Sequence, residues 1–188
     1  MGIPVLIIGK SGSGKSTLLN VISGLDTYEE GDYVYTYNQG SHYGSDWSVK
    51  VKDKTKTTYG EILSEIAGKP VTSMSNTFIF CESLTIAPTI PSSVTNMFST
   101  FAYCTSLTTA PTIPNSVTDM LSTFSSCTKL TTPPDMSNAN SVTNMQSTFN
   151  DCTSLTTAPT IPNNVTNMSF TFDGCTTLTT PPDMSNAN

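Results

Sequence analysis

The chain has 188 residues, of which only 12% are charged, and its 8 basic residues are all lysine against 14 acids, for a net charge of −6. A nucleic-acid binder needs a basic face and favours arginine for bidentate contacts, so that class is excluded as a partner. The longest apolar run, residues 5–8, is far short of the roughly 20 residues that span a bilayer, so no membrane span is expected.

The first element is a strand-like VLII at 5–8, followed by GKSGSGKST at 9–17 and a helix-like segment at 16–23. This is a Walker A pattern in the strand–loop–helix context that it demands. Its nucleotide-binding residues would be Gly9, Ser11, Gly12, Ser13, Gly14, Lys15, Ser16 and Thr17. Backbone amides of 12–15 would wrap the β-phosphate, Lys15 would reach β and γ oxygens, and Ser16 would ligate magnesium of Mg-ATP. Residues 9–31 resemble ABC-transporter ATPases, while the opening MGIPVLIIGKSGSGKST also suits a phage P-loop ATPase. That family's glutamine loop, LSGGQ signature, Walker B strand and switch histidine have no counterpart after Thr17; FIFCE at 78–82 looks like a Walker B strand only superficially. Some 25 residues cannot flank a buried parallel strand on both faces. Residues 1–28 therefore read as a truncated P-loop fragment, with no catalytic residue assigned and an incomplete NTPase at most.

Next, residues 32–38 (DYVYTYN) and 47–53 (WSVKVKD) alternate apolar and polar, joined by a Gly/Ser-rich link containing His42, and predict a β-hairpin. Its aromatic face would lie on the first of the repeats that begin at residue 71, and the alternative use of such a Tyr/Trp cluster is a carbohydrate platform. The KVKDKTK run is read as a solvated outer face. Thr58 and Glu61 form a capping box ahead of Ile62, Leu63 and Ile66, and Gly68 with Pro70 would end the helix so predicted. Hairpin and helix, residues 29–70, form an N-terminal cap on this reading.

From residue 71 the chain is periodic. Cysteines 81, 104, 127, 152 and 175 are spaced 23, 23, 25 and 23, and valine, methionine, phenylalanine and leucine columns share the same offsets, giving five copies of one unit. Val, Met, Phe and Cys at relative positions 0, 3, 7 and 10 lie on one face of a helix or of a tight succession of turns, with Thr and Asn after Val as caps. A Thr-rich strand ended by proline comes after them, as in LTTAPTIP at 107–114. One such unit cannot bury its stripe alone, whereas stacked units can, with a parallel sheet along one side. The cysteines, with no CxxC pair and parallel side chains, read as a buried thiol ladder, neither metal site nor disulfides.

The unit VTNMFSTFAYCTSLTTAPTIPNS at 94–116 resembles the leucine-rich repeats of bacterial BspA-type surface proteins, also seen in mycoplasma lipoproteins and gut bacteriophage structural proteins. The resemblance implies a curved solenoid for adhesion or for binding a protein or glycan ligand, with no chemistry of its own, and placement at a cell or virion surface. The N-terminus as given carries no signal peptide and points to the cytoplasm. The unit at 117 carries two extra residues, and the absence of a polar cap after Asn188 suggests a fragment. The expected fold is thus an α/β solenoid of five 23–25 residue repeats at 71–188, preceded by the cap and the P-loop fragment. The expected function is a non-enzymatic binding module with a Thr/Asn-rich surface that needs no cofactor. An ATP-binding P-loop protein with a repeat appendage is the first alternative, and a chimera whose halves share no joint function is the second.

Overall fold

A computed structural model describes residues 27–41, 44–180 and 182. The Walker A segment and His42 lie outside the described residues. Five strands precede or open the repeats: β1 (Thr27–Glu30), β2 (Tyr33–Ser41), β3 (Gly44–Val51), β4 (Glu65–Ile66) and β5 (Lys69–Ser73), in the order β1-β2-β3-β5-β4. The predicted hairpin is β2–β3, paired antiparallel from Tyr33↔Val51 to Ser41↔Gly44 with a register irregularity between Asn38 and Ser41. Period-2 alternation places Tyr33, Tyr35, Trp47 and Val49 on one buried face. These rings pack as core, so the hairpin is not an exposed carbohydrate platform. Lys52 bridges to Glu29 at 3.0 Å and Lys56 to Asp32 at 2.5 Å, which leaves the lysine run on the outer face.

No helix forms over 58–67, and none is present among the described residues. The capping box is overruled by long-range partners. The Tyr33 hydroxyl donates to the Gly60 carbonyl at 2.7 Å, the Leu63 amide donates to the Tyr35 hydroxyl at 3.1 Å, and the Gly60 amide donates to Asp32 at 2.9 Å. Main-chain groups spoken for by the hairpin cannot close the i to i−4 bonds of a helix. Ile62 and Ile66 are still buried, and Ala67 and Gly68, both at positive φ, turn the chain from β4 into β5. The Lys56 hydrogen bond, then the Gly60 amide, hold the Asp32 carboxyl below its ordinary range.

Of the two readings for the Val-Met-Phe-Cys stripe, the succession of turns is the one observed. Each unit takes two left-handed positions: Asn76, Ser99, Ser122, Ser147 and Phe170 at the first, and Phe80, Tyr103, Ser126, Asp151 and Gly174 at the second. The corners are fixed by side chains. Oδ1 of Asn96, Asp119, Asn144 and Asn167 accepts the amide two residues on, at 2.8 to 3.1 Å. Such Asx turns are what Asn and Asp do best outside helices. Parallel bridges run along these residues, from Ser73 through Asn96, Asp119 and Asn144 to Asn167. The Thr-rich leg, expected to carry a continuous parallel sheet, bridges only Ile86, Thr109 and Thr132 among the described residues, because each proline there removes an amide donor.

The solenoid reading holds inside the core. Phe78, Phe101, Phe124, Phe149 and Phe172 stack in sequence with centroids 5.2, 5.4, 5.7 and 5.6 Å apart and planes within 6°. The cysteines form a single file beside them, all free, and Cys104, Cys127, Cys152 and Cys175 each donate to the phenylalanine carbonyl of the preceding unit at 3.0 to 3.2 Å. A further column escaped the sequence reading. Thr77, Thr100, Thr123, Thr148 and Thr171 are buried, and the last four hydroxyls donate to the methionine carbonyl of the preceding unit at 2.8 to 2.9 Å. Replacing Thr123 by valine keeps the shape and removes the donor; about 1 kcal/mol of stability is expected to go, read as a lower denaturation midpoint with an unchanged m-value.

The cap imitates a missing unit. Thr77 donates to the Val49 carbonyl at 2.7 Å, where later threonines use a methionine carbonyl, and β3 pairs parallel with β5 as the next turn would. Tyr33 and Tyr59 close the phenylalanine stack edge-on, 6.2 and 5.0 Å from Phe78. The two extra residues of the unit at 117 bulge outward at 137–138, while Met136 and Ala139 enter the core. The Val142 amide bonds the Ala139 carbonyl, where Val94, Val117 and Val165 use a proline carbonyl, so the register is restored at once.

Candidate binding surface

Every cysteine, methionine and phenylalanine in the described columns faces inward, so the surface is made by what remains between them. Burial pushes the Cys81, Cys104, Cys127, Cys152 and Cys175 thiols up from their ordinary range, and a raised thiol is a poor nucleophile or ligand. Among the described residues, no three His, Cys, Asp or Glu side chains are grouped to hold a metal ion. The same burial raises Tyr33, Tyr59 and, to about 12, Tyr35.

These shifts have a sign. An unfolded chain releases thiol protons near pH ~8.5, while the folded chain keeps them, so between the two values the native state binds more protons. Stability is therefore expected to fall as pH rises above about 8.5. Denaturant titrations from pH 7 to 10 check this, and Cys127→Ala is expected to show a shallower alkaline limb even though it starts less stable.

On the outside, the Thr-rich leg carries two rows. Thr85, Thr108 and Thr156 donate their hydroxyls to the carbonyls of Thr57, Thr85 and Thr131 at 3.1 to 3.2 Å, stitching one turn to the last. The second row, Ile86, Thr109, Thr132 and Thr157, points to solvent, with Ile86 55% exposed. The asparagines of the turn corners contribute less to the surface than the sequence suggested, since their oxygens are engaged in the Asx turns. An open groove of about 490 Å³ lies where cap and first unit meet, lined by Tyr59, Gly60, Glu61, Ala87, Pro88 and Thr89.

A second outward feature was missed in the sequence because it sits inside the core spacing. FIFC and FAYC each hold two aromatics, of which only Phe78 and Phe101 are core; Phe80 and Tyr103 are 50% and 44% exposed. Lining up the five units shows the signal that would have found them. Position 9 after the valine reads Phe, Tyr, Ser, Asp, Gly, while phenylalanine two residues before it and cysteine one residue after it are the same in all five units.

Comparison with known proteins matches two stretches of the chain to family models. The model of the family "Mycoplasma protein of unknown function, DUF285" matches residues 72–187, and that of the family "ABC transporter" matches residues 1–79. Within the second match, residues 27–79 form the hairpin, the cap and the first turn of the solenoid, with Phe78 in its stack. A tungstate uptake system ATP-binding protein, TupC, of Peptoclostridium acidaminophilum is 49% identical over 49 residues, 26% of this chain, which thus spans 20% of that relative. Among solved structures, the T. pallidum leucine-rich repeat protein (TpLRR) matches with a TM-score of 0.60 and 24% identity over 77% of this chain and 66% of its own. A leucine-rich repeat protein from Bacteroides ovatus ATCC 8483 matches at a TM-score of 0.36 and 20% identity, over 77% of this chain and 50% of its own. The first of these carries the fold assignment, that of a leucine-rich-repeat solenoid.

Proposed function

The chain belongs to the family described as Mycoplasma protein of unknown function, DUF285, and from that premise we propose that it is a non-enzymatic binding module whose solenoid presents its threonine-rich leg to a protein partner. One observation carries the reading: among the described residues the cysteine thiols are taken up in and against the core, while Thr109, Thr132 and Thr157 form an exposed row repeated turn by turn. Extended faces of this kind are what repeat proteins use for recognition. On this reading residues 71–188 are the recognition unit, 29–70 its cap and 1–28 a separate P-loop fragment.

The test is partner capture by the full chain. Partner is expected on the wild type, lost from a variant carrying glutamate at 109, 132 and 157, and retained on Lys15→Ala. Capture that requires Lys15 and Mg-ATP, and ignores the threonine row, contradicts the reading.

The P-loop gives a second reading because the model of the family "ABC transporter" matches residues 1–79, a stretch that holds the Walker A string at 9–17. Gly9 to Thr17 would then hold Mg-ATP, with Lys15 on the β and γ oxygens and Ser16 on magnesium. Calorimetry with Mg-ATP decides it: heat on the wild type that disappears in Lys15→Ala supports binding, and no heat on either ends it.

A further inference from the structure

We propose that Tyr103, backed by Phe80, is a stacking platform for a neutral sugar ring, a site separate from the threonine row. The main chain at this column is left-handed throughout, with φ of 61° at Phe80, 62° at Tyr103, 60° at Ser126, 57° at Asp151 and 74° at Gly174. Glycine meets that requirement freely, whereas a bulky side chain there is strained. Two aromatic residues bear that strain and are then left half exposed, outside the hydrophobic core. Their contacts are made at the surface and not in the core, and strained exposed residues of this kind cluster at ligand sites.

The geometry selects one open face. Phe80 and Tyr103 stack with centroids 4.7 Å apart and planes 18° from parallel. The Lys54 ammonium stands 5.9 Å from the Phe80 centroid and covers the near end of the pair. At the far end the next residue of the column is Ser126, whose small side chain leaves the Tyr103 face uncovered. A ring laid on that face would continue the stack. Thr105, Ser126 and Thr128 are half-buried on the same and the next unit, and the Thr128 hydroxyl donates to the Thr105 carbonyl at 3.4 Å.

Charge favours a neutral occupant. Asp151, one unit further on, lies against Gly174, where its Oδ1 would meet an added Cβ, so its carboxylate is turned away from the open face. Lys129 is exposed on the unit of Ser126, and Glu82 is exposed at the Phe80 end. A pyranose offers an uncharged C–H face for the negative face of the aromatic ring.

The test probes the full chain against cello-, malto- and chito-hexaose by calorimetry. At least one of these is expected to bind. Tyr103→Gly is expected to weaken it by about tenfold or more, while Tyr103→Phe, which keeps the ring, stays within about threefold. Because Tyr103→Gly relieves a left-handed residue, its melting temperature should equal or exceed that of the wild type, which separates lost binding from lost folding. The proposal is overturned if none of the three binds, if binding survives Tyr103→Gly, or if only acidic sugars bind and Lys54→Met abolishes them. Protein capture through the threonine row is expected to be the same in Tyr103→Gly, so the two readings fail independently.

Discussion

Phe124→Ala is expected to destabilise the protein by about 3–5 kcal/mol, since it empties a fully buried ring position in the middle of the stack. The ring lies 5.4 Å from Phe101 and 5.7 Å from Phe149, so two ring–ring contacts are lost with one side chain. A solenoid transmits this in a particular way. Each turn is held by its two neighbours, so a break at the third unit separates the capped side from the two units beyond it. Hydrogen exchange is expected to show protection lost at the amides of Thr148 to Thr171 before those of Thr77 to Thr100. Uniform loss along the whole chain would mean that the core is one cooperative block instead of a file of turns.

Tyr33→Ala is the second large effect, again about 3–5 kcal/mol, and it acts at the other end. Tyr33 is buried, edge-on to Phe78, and its hydroxyl ties the 58–64 segment to the hairpin through Gly60. Its removal opens the first unit's core to water, so exchange should now spread from Thr77 and Phe78 towards the C-terminal units, the reverse order to Phe124→Ala. Tyr33→Phe keeps the ring and loses only the hydrogen bond, at about 1 kcal/mol. If Tyr33→Ala leaves the midpoint of denaturation unchanged, the hairpin is an ornament and not a cap.

How far the sequence could be read depends on where the information was stored. The Cys, Phe, Met and Leu columns were legible because five repetitions turn spacing into position, and the hairpin was legible from the Tyr33-Tyr35-Tyr37 and Trp47-Val49-Val51 alternation. The buried threonine column was not, since Thr77 or Thr123 cannot be told by type from the many surface threonines of this chain. Only their place one residue before the stacked phenylalanine marks them, and the carbonyls they reach belong to another unit. The helix at 58–67 failed for a related reason. Its local signals were sound, but Tyr33, Tyr35 and Asp32, some 28 residues earlier, claim the main-chain groups that a helix would need. Phe80 and Tyr103 were hidden by the opposite effect, because an aromatic one residue from a core cysteine and two from a core phenylalanine looks like core until the units are compared column by column. The Walker A string at 9–17 was legible as a motif, and it lies outside the described residues.

Consecutive units must lie directly upon one another in solution for any of this to hold. Ring-proton nuclear Overhauser effects in a sample labelled only at phenylalanine measure this. Contacts are predicted for Phe78 with Phe101, Phe101 with Phe124, Phe124 with Phe149 and Phe149 with Phe172, and for no pair that skips a unit. Absence of these contacts, or contacts between rings two units apart, would contradict the stacked arrangement and every functional reading built on it.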